Sequence, residues 1–233
     1  MIEIKNITKK FDNNLVFKNL NLEIKPGLIY GIVGVNGAGK TTLLKSIAGL
    51  FDLEKGIILV NGESNVKKKA NSKIGYVPEQ SALYDYLTGE EYLLFAASTF
   101  GLEKRAALNS INDILGKLNL IDAKNELIST YSNGMKQKIA IASALLKKPE
   151  YLLLDEPLTG IDLITSQQIR KYLNDFAKTK SVLMTTHLLE LAHSICDTVL
   201  ILHRNEIVEV FDPKLYKLKD MEEKINQVYL SQN

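Results

Sequence analysis

The segment from Leu28 to Leu50, LIYGIVGVNGAGKTTLLKSIAGL, constrains this chain more than any other. Leu28 to Val33 is an apolar run of the length of a buried strand. Thr42 to Leu50 sets Leu43, Leu44, Ile47, Ala48 and Leu50 at helical spacing. Between them, Gly34-Val35-Asn36-Gly37-Ala38-Gly39-Lys40-Thr41 fits the pattern G-x-x-x-x-G-K-[ST]. Backbone N–H groups surround a polyphosphate only where the chain can pass close to it. Gly34, Gly37 and Gly39 permit that approach. The helix that begins beyond them turns unpaired N–H groups and its positive dipole end toward the same place. In this reading residues Gly34 to Thr42 cradle the phosphates of a nucleoside triphosphate. Lys40 reaches the β- and γ-phosphates, and the Thr41 hydroxyl ligates Mg²⁺.

The rest of the chain predicts an α/β fold around that unit. Ile2, Ile4 and Ile7, then Leu20, Leu22 and Ile24, suggest two antiparallel strands joined near Asp12-Asn13-Asn14. Ile57 to Val60 reads as a short strand ending in the hairpin signal Asn61-Gly62. Lys67-Lys68-Lys69 reads as a solvated loop. Ile74 to Val77 is a strand stopped by Pro78. From Thr88 to Lys148 helical spacing dominates, with helices expected over 88–100, 104–118 and 132–147. Strands return at 151–154, 181–185, 198–202 and 206–210, separated by helices over 165–178 and 188–194. That alternation argues for a mainly parallel sheet with an inserted helical subdomain at about 81–148. The core would comprise 1–80 and 149–211. Residues 212–233 form a charged tail with a short helix whose role is not legible.

Composition narrows the function classes. The chain has 233 residues, 45% of them hydrophobic, enough for one sizeable core or a core with a subdomain. Its longest uncharged run, Pro26 to Gly39, is too short and too glycine-rich to span a bilayer. No secretory leader pattern opens the sequence. With 29 basic and 27 acidic residues the net charge is +2, which argues against a nucleic-acid binder relying on a strong field. The single cysteine, Cys196, excludes an internal disulfide and suits a reducing compartment.

Three further motifs carry chemistry. Tyr151-Leu152-Leu153-Leu154-Asp155-Glu156-Pro157 is an apolar strand that delivers two carboxylates at its C-terminal end, where ligands bind in open α/β sheets. Asp155 suits an Mg²⁺ ligand beside the phosphate loop, and Glu156 suits a general base for an attacking water. Tyr131-Ser132-Asn133-Gly134-Met135-Lys136-Gln137-Lys138 opens a helix capped by Ser132, a second N-terminus able to meet an anion. His187 follows the strand 181–185 and can meet a γ-phosphate or water. His193 and His203 lack such a placement and read as structural.

With GVNGAGKTT, YSNGMKQK, YLLLDEP and TTH in that order, the chain resembles the ATPase subunit of an ATP-binding cassette (ABC) transporter over about residues 1–211. The resemblance implies a P-loop NTPase fold and a peripheral position on the cytoplasmic face of the cell membrane. It also implies a separate membrane-spanning permease subunit as partner. Two cassettes pair head to tail, by default two copies of this chain, with no role for nucleic acid. Each ATP is sandwiched between one phosphate loop and the opposing signature helix. Carried over, Ser132 and Gly134 contact the γ-phosphate bound by the partner, Asp162 lies along the dimer interface, and Phe11 stacks on adenine, with Phe17 as its rival. The stretch Ser81–Leu94 would lie near the groove that grips the permease.

Some positions depart from the family pattern. The signature is commonly LSGGQ and here reads YSNGM, so Asn133 replaces a glycine and Met135 a glutamine. That form resembles a branch of bacterial drug, bacitracin and sodium exporters and implies export. Glu79, in Tyr76-Val77-Pro78-Glu79-Gln80, occupies the place of a glutamine near Mg²⁺; Gln80 takes that role if the loop shifts by one residue. Leu163 stands where a proline often follows the interface aspartate. Two other functions compete: a soluble ABC ATPase of metal-cluster assembly, and a regulatory module with weak hydrolysis.

Overall fold

The computed structural model describes residues 1–231. Two sheets share the work. Strands β1 (Ile2–Phe11), β2 (Asn14–Ile24), β4 (Lys55–Val60) and β5 (Glu63–Ser64) form an antiparallel sheet in the order β2-β1-β4-β5. Ile2 pairs with Ile24 and Ile7 with Leu20, with register shifts between. The spacing Ile2, Ile4, Ile7 departs from strict alternation because Asn6 and Asn19 lie in the left-handed region, at φ 51° and 50°. The resulting irregularity turns Ile7 back to the core, as a β-bulge does.

The second sheet contains β3 (Ile29–Val33), β6 (Ile74–Val77), β7 (Tyr151–Leu154), β8 (Ser181–Thr186), β9 (Thr198–His203) and β10 (Glu206–Phe211), in the order β10-β9-β3-β8-β7-β6. All its pairings are parallel except β10 with β9. Its strands are apolar on both faces because both faces are covered. Tyr30, Ile32, Leu153 and Leu183 face the antiparallel sheet and helix α1 (Lys40–Ile47). Leu152, Leu154, Val182 and Met184 face the other helices.

Three of those helices, α3 (Gly89–Thr99), α4 (Lys104–Lys117) and α5 (Asn133–Leu145), lie between β6 and β7 in sequence. Helices α6 (Leu163–Ala177) and α7 (Leu189–Ile195) cross between β7, β8 and β9. Their starts follow ordinary capping chemistry. Thr88 and Glu91 form a reciprocal capping box on α3, Ser132 accepts from the Met135 N–H on α5, and Asp162 accepts from the Thr165 N–H on α6.

Two expectations need correction. The basic run is not all loop: Lys68–Asn71 forms one helical turn, α2, with its lysines exposed and Lys69 paired to Glu63 at 2.7 Å. The last helix, α8 (Leu218–Ser231), is longer than the short one expected. It docks through the fully buried Met221, and the His193 Nε2 lies 3.0 Å from the Tyr216 carbonyl nearby. No helix among the described residues is long and apolar enough to cross a membrane.

Candidate functional site

The loop from Gly34 to Gly39 joins β3 to α1 at the C-terminal ends of the parallel strands. Close approach decides its glycines. A Cβ on Gly34 would lie 2.5 Å from the Leu202 carbonyl oxygen, and one on Gly39 would lie 2.7 Å from Val16 Cγ1. Gly37 and Gly39 also hold φ of +83° and +100°, which a side chain would strain. No side chain caps α1, so the N–H groups of its first turn are left for another acceptor. The buried Lys40 curls back over the loop, donating to the Gly34 carbonyl at 2.7 Å and the Val35 carbonyl at 3.3 Å.

The strand β7 ends at two carboxylates in different settings. Asp155 is buried, at 1% exposure, and accepts from the Thr185 hydroxyl at 2.6 Å. No basic side chain among the described residues pairs with it. Thr185 also accepts from the Glu156 N–H at 2.9 Å, which ties β7 to β8 beside the loop. Burial and the nearby Asp155 charge both raise the Tyr76 hydroxyl above its ordinary pKa.

Glu156 is held from several sides. Its backbone is left-handed, φ 47°, an unusual state for a residue with a side chain. Its carboxylate accepts from the Thr159 hydroxyl at 3.0 Å, lies 3.1 Å from His187 Nδ1 and 3.9 Å from Lys40 Nζ. The structure thus brings Lys40, Glu156 and His187 together. Thr185 and Thr159 complete the arrangement and were not singled out in the sequence, although Thr185 opens the Thr-Thr-His run.

A cleft of about 440 Å³ opens beside Glu156, lined also by Glu79, Gln80, Asn133, Gln137 and Gly160. Glu79 and Gln80 are both exposed, and neither side chain hydrogen-bonds to a described residue. Ser132 is exposed at the start of α5, two residues before the buried Gly134. Gly134 is glycine for a packing reason: a Cβ there would meet Thr165 Cγ2 at 2.5 Å. Asp162 caps the facing helix, and its N–H bond from Thr165 holds its carboxyl below the usual range. Phe11 is 42% exposed, whereas Phe17 is wholly buried in the core. The Phe11 ring stands edge-on to Phe51 at 5.3 Å, with Lys9 Nζ 4.9 Å away.

A family model described as ABC transporter matches residues 17–159, more than half of the chain. The chain belongs to the ABC transporter ATP-binding family. As a member it is an ATP-binding domain and an ATPase. This ABC ATPase is 33% identical over 241 residues to the ABC transporter ATP-binding protein NatA of Bacillus subtilis (strain 168), covering 99% of this chain and 97% of that protein. It is 34% identical over 213 residues to the bacitracin transport ATP-binding protein BcrA of Bacillus licheniformis, covering 90% and 69% respectively. Among solved structures, an ATP-binding subunit of an ABC transporter superposes with a TM-score of 0.83 at 27% identity, covering 99% of this chain and 98% of that one. A dimeric bacterial ABC transporter cassette gives 0.82 at 26%, covering 91% and 99%.

Proposed function

We propose that this ABC ATPase powers a membrane exporter through ATP-driven closure of two copies of itself. The observation that carries the hydrolytic part is the placement of Glu156. Its left-handed backbone aims a carboxylate at the mouth of the phosphate loop, within 3.9 Å of Lys40 Nζ and 3.1 Å of His187 Nδ1. There Glu156 takes a proton from the attacking water, and His187 orients Glu156 and the water. Lys40 leaves its own carbonyls for the β- and γ-phosphates, and the uncapped first turn of α1 donates its N–H groups beside Thr41 and Thr42.

Mg²⁺ fits the donor set. Thr41 and Asp155 offer hard oxygens, and Asp155 is buried with one neutral donor, a carboxylate short of positive charge. Among the described residues no three His, Cys, Asp or Glu side chains form a metal cage, which suits an ion held by few protein oxygens. Glu79, which lines the adjoining cleft, would be a third oxygen donor. The ion's contribution is to neutralise charge on the transferred phosphoryl group.

Ser132 and Gly134 would contact the γ-phosphate on the partner copy, with Asp162 along the same interface and Phe11 stacked on adenine. The exposure of Ser132 and Phe11 supports both placements. We divide the chain as a core, 1–80 and 149–211, a helical insertion, 81–148, and a tail, 212–233. A cleft beside Ser81 and Tyr92 would receive a separate permease subunit, which would hold the ATPase at the inner face of the cell membrane. The YSNGM signature supports export.

The test is recovery of tagged Glu156→Gln protein from its own cells, in mild detergent with ATP and Mg²⁺, followed by mass spectrometry. A stoichiometric multi-span membrane protein is expected. Recovery with soluble partners alone, across several detergents, would favour cluster assembly or regulation instead.

A further inference from the structure

Past β10 the chain is fastened to the corner that carries His187. Lys214 Nζ lies 2.9 Å from Asp197 Oδ1. The other oxygen of that carboxylate accepts from the Ile29 N–H at 3.0 Å, and the Asp197 N–H donates to the Ile29 carbonyl at 2.8 Å. The ion pair therefore ends on the first residue of β3, the strand of the phosphate loop. Tyr216 sets its ring edge-on to the buried Phe211 at 5.3 Å and its carbonyl oxygen 3.0 Å from His193 Nε2. Further on, the fully buried Met221 and the partly buried Ile225 stand four residues apart, on one face of α8. Helix α8 packs on α7 and β10.

Helix α7 starts two residues after His187, is only seven residues long and has no side-chain cap. A helix so short takes its order from what it packs against. Leu191, Ala192 and Ile195 bury one face, where α7 meets β3 and β8. That face sets the distance of the helix from the sheet but leaves it able to roll. His193 lies nearly opposite on the helix, so its contact with the Tyr216 carbonyl, beside α8, holds the outer side. Arg170 Nη1, 3.3 Å from Ser194 Oγ, adds a longer link to α6. We infer that the tail braces the catalytic corner: Tyr216 and Met221 are positioning residues that stop α7 from rolling and so hold the His187 imidazole 3.1 Å from Glu156. This rests on the role given to His187 above and deepens it. The His187 side chain is 41% exposed, so the placement of the helix behind it, more than packing around the ring, decides where it points.

The test compares ATP hydrolysis and ATP binding in the full chain. Met221→Asp sets a charge into the buried contact and should lower kcat by about tenfold or more, as small misplacements of a catalytic group do. KM for ATP, and affinity by calorimetry, should stay close to parental. Met221→Leu fills the same space and should keep the parental kcat. Met221→Ala loosens the contact without a charge and should fall between the two; it carries the comparison where the aspartate variant does not fold. In a His187→Ala chain, neither Met221→Asp nor Met221→Ala should lower the residual single-turnover rate further, because no imidazole is left to place. The same fold-loss with and without His187 overturns the brace and assigns the tail to stability alone. Parental kcat in the Met221 variants, or a loss of ATP affinity that matches the loss of kcat, also overturns it. Parental kcat in His187→Ala alone overturns the role of His187 itself, and the brace with it.

Discussion

Glu156 combines a costly backbone with a chemically useful side chain. A non-glycine residue at φ 47° persists only where its surroundings over-determine it, and here the Thr185 hydroxyl, Thr159 and His187 do so. Replacing its carboxylate with an amide keeps the shape and removes the base. Glu156→Gln is therefore expected to bind ATP as the parent does and to lose turnover by about 10²–10⁴-fold. Calorimetry and phosphate release measure the two halves, and parental turnover would remove Glu156 from the role of base. Lys40→Ala should weaken ATP binding at least tenfold by calorimetry, since its ammonium is free to move from two carbonyls to two phosphates. Both residues were legible in the sequence, because G-x-x-x-x-G-K-T and LLLDEP report chemistry through local spacing. Thr185 was not, since its value lies in meeting Asp155 and Glu156 from the neighbouring strand, and Thr159 was not, since its contact with Glu156 three residues earlier depends on the turn between them. The strain at Glu156 was also invisible, because nothing in the letters Asp-Glu-Pro announces a positive φ.

Elements show the same division between local and non-local causes. The helix starts at Thr88 and Ser132 were readable because a cap and its N–H partner lie within three residues, whereas the helix capped by Asp162 was expected to begin only at 165. Thr88→Ala should cost about 1 kcal/mol, lowering the melting temperature by about 2–4 °C in a chain of this size, with ATP binding unchanged. Helix α2 escaped notice because its single turn has no side-chain cap and too few residues to show a period. The bulged pairing of β1 with β2 was likewise hidden in two ordinary asparagines, Asn6 and Asn19. Gly134 illustrates how a motif can serve packing and chemistry together. Gly134→Ala should destabilise by about 1–3 kcal/mol through overpacking against Thr165. Thr165→Ala in the same chain should return part of that loss in thermal melts, and no recovery would mean the contact is not the cause.

At the scale of the whole molecule, the parallel sheet divides two cores, one with the antiparallel sheet and α1, the other with α3 to α8. The phosphate loop and the α5 N-terminus are thus carried by different layers, and an uncapped α1 and an exposed Ser132 each present half of an anion site. Two copies placed head to tail would complete two such sites, with ATP between them. The direct measurement is the solution mass of Glu156→Gln by light scattering, with ATP and Mg²⁺ and again with ADP. The expected result is twice the single-chain mass with ATP and the single-chain mass with ADP. Ser132→Asp added to that variant should preserve the α5 cap, since aspartate caps as well as serine, yet abolish the dimer by setting a carboxylate against the partner's phosphate. A Glu156→Gln chain saturated with ATP that stays monomeric would contradict the composite site.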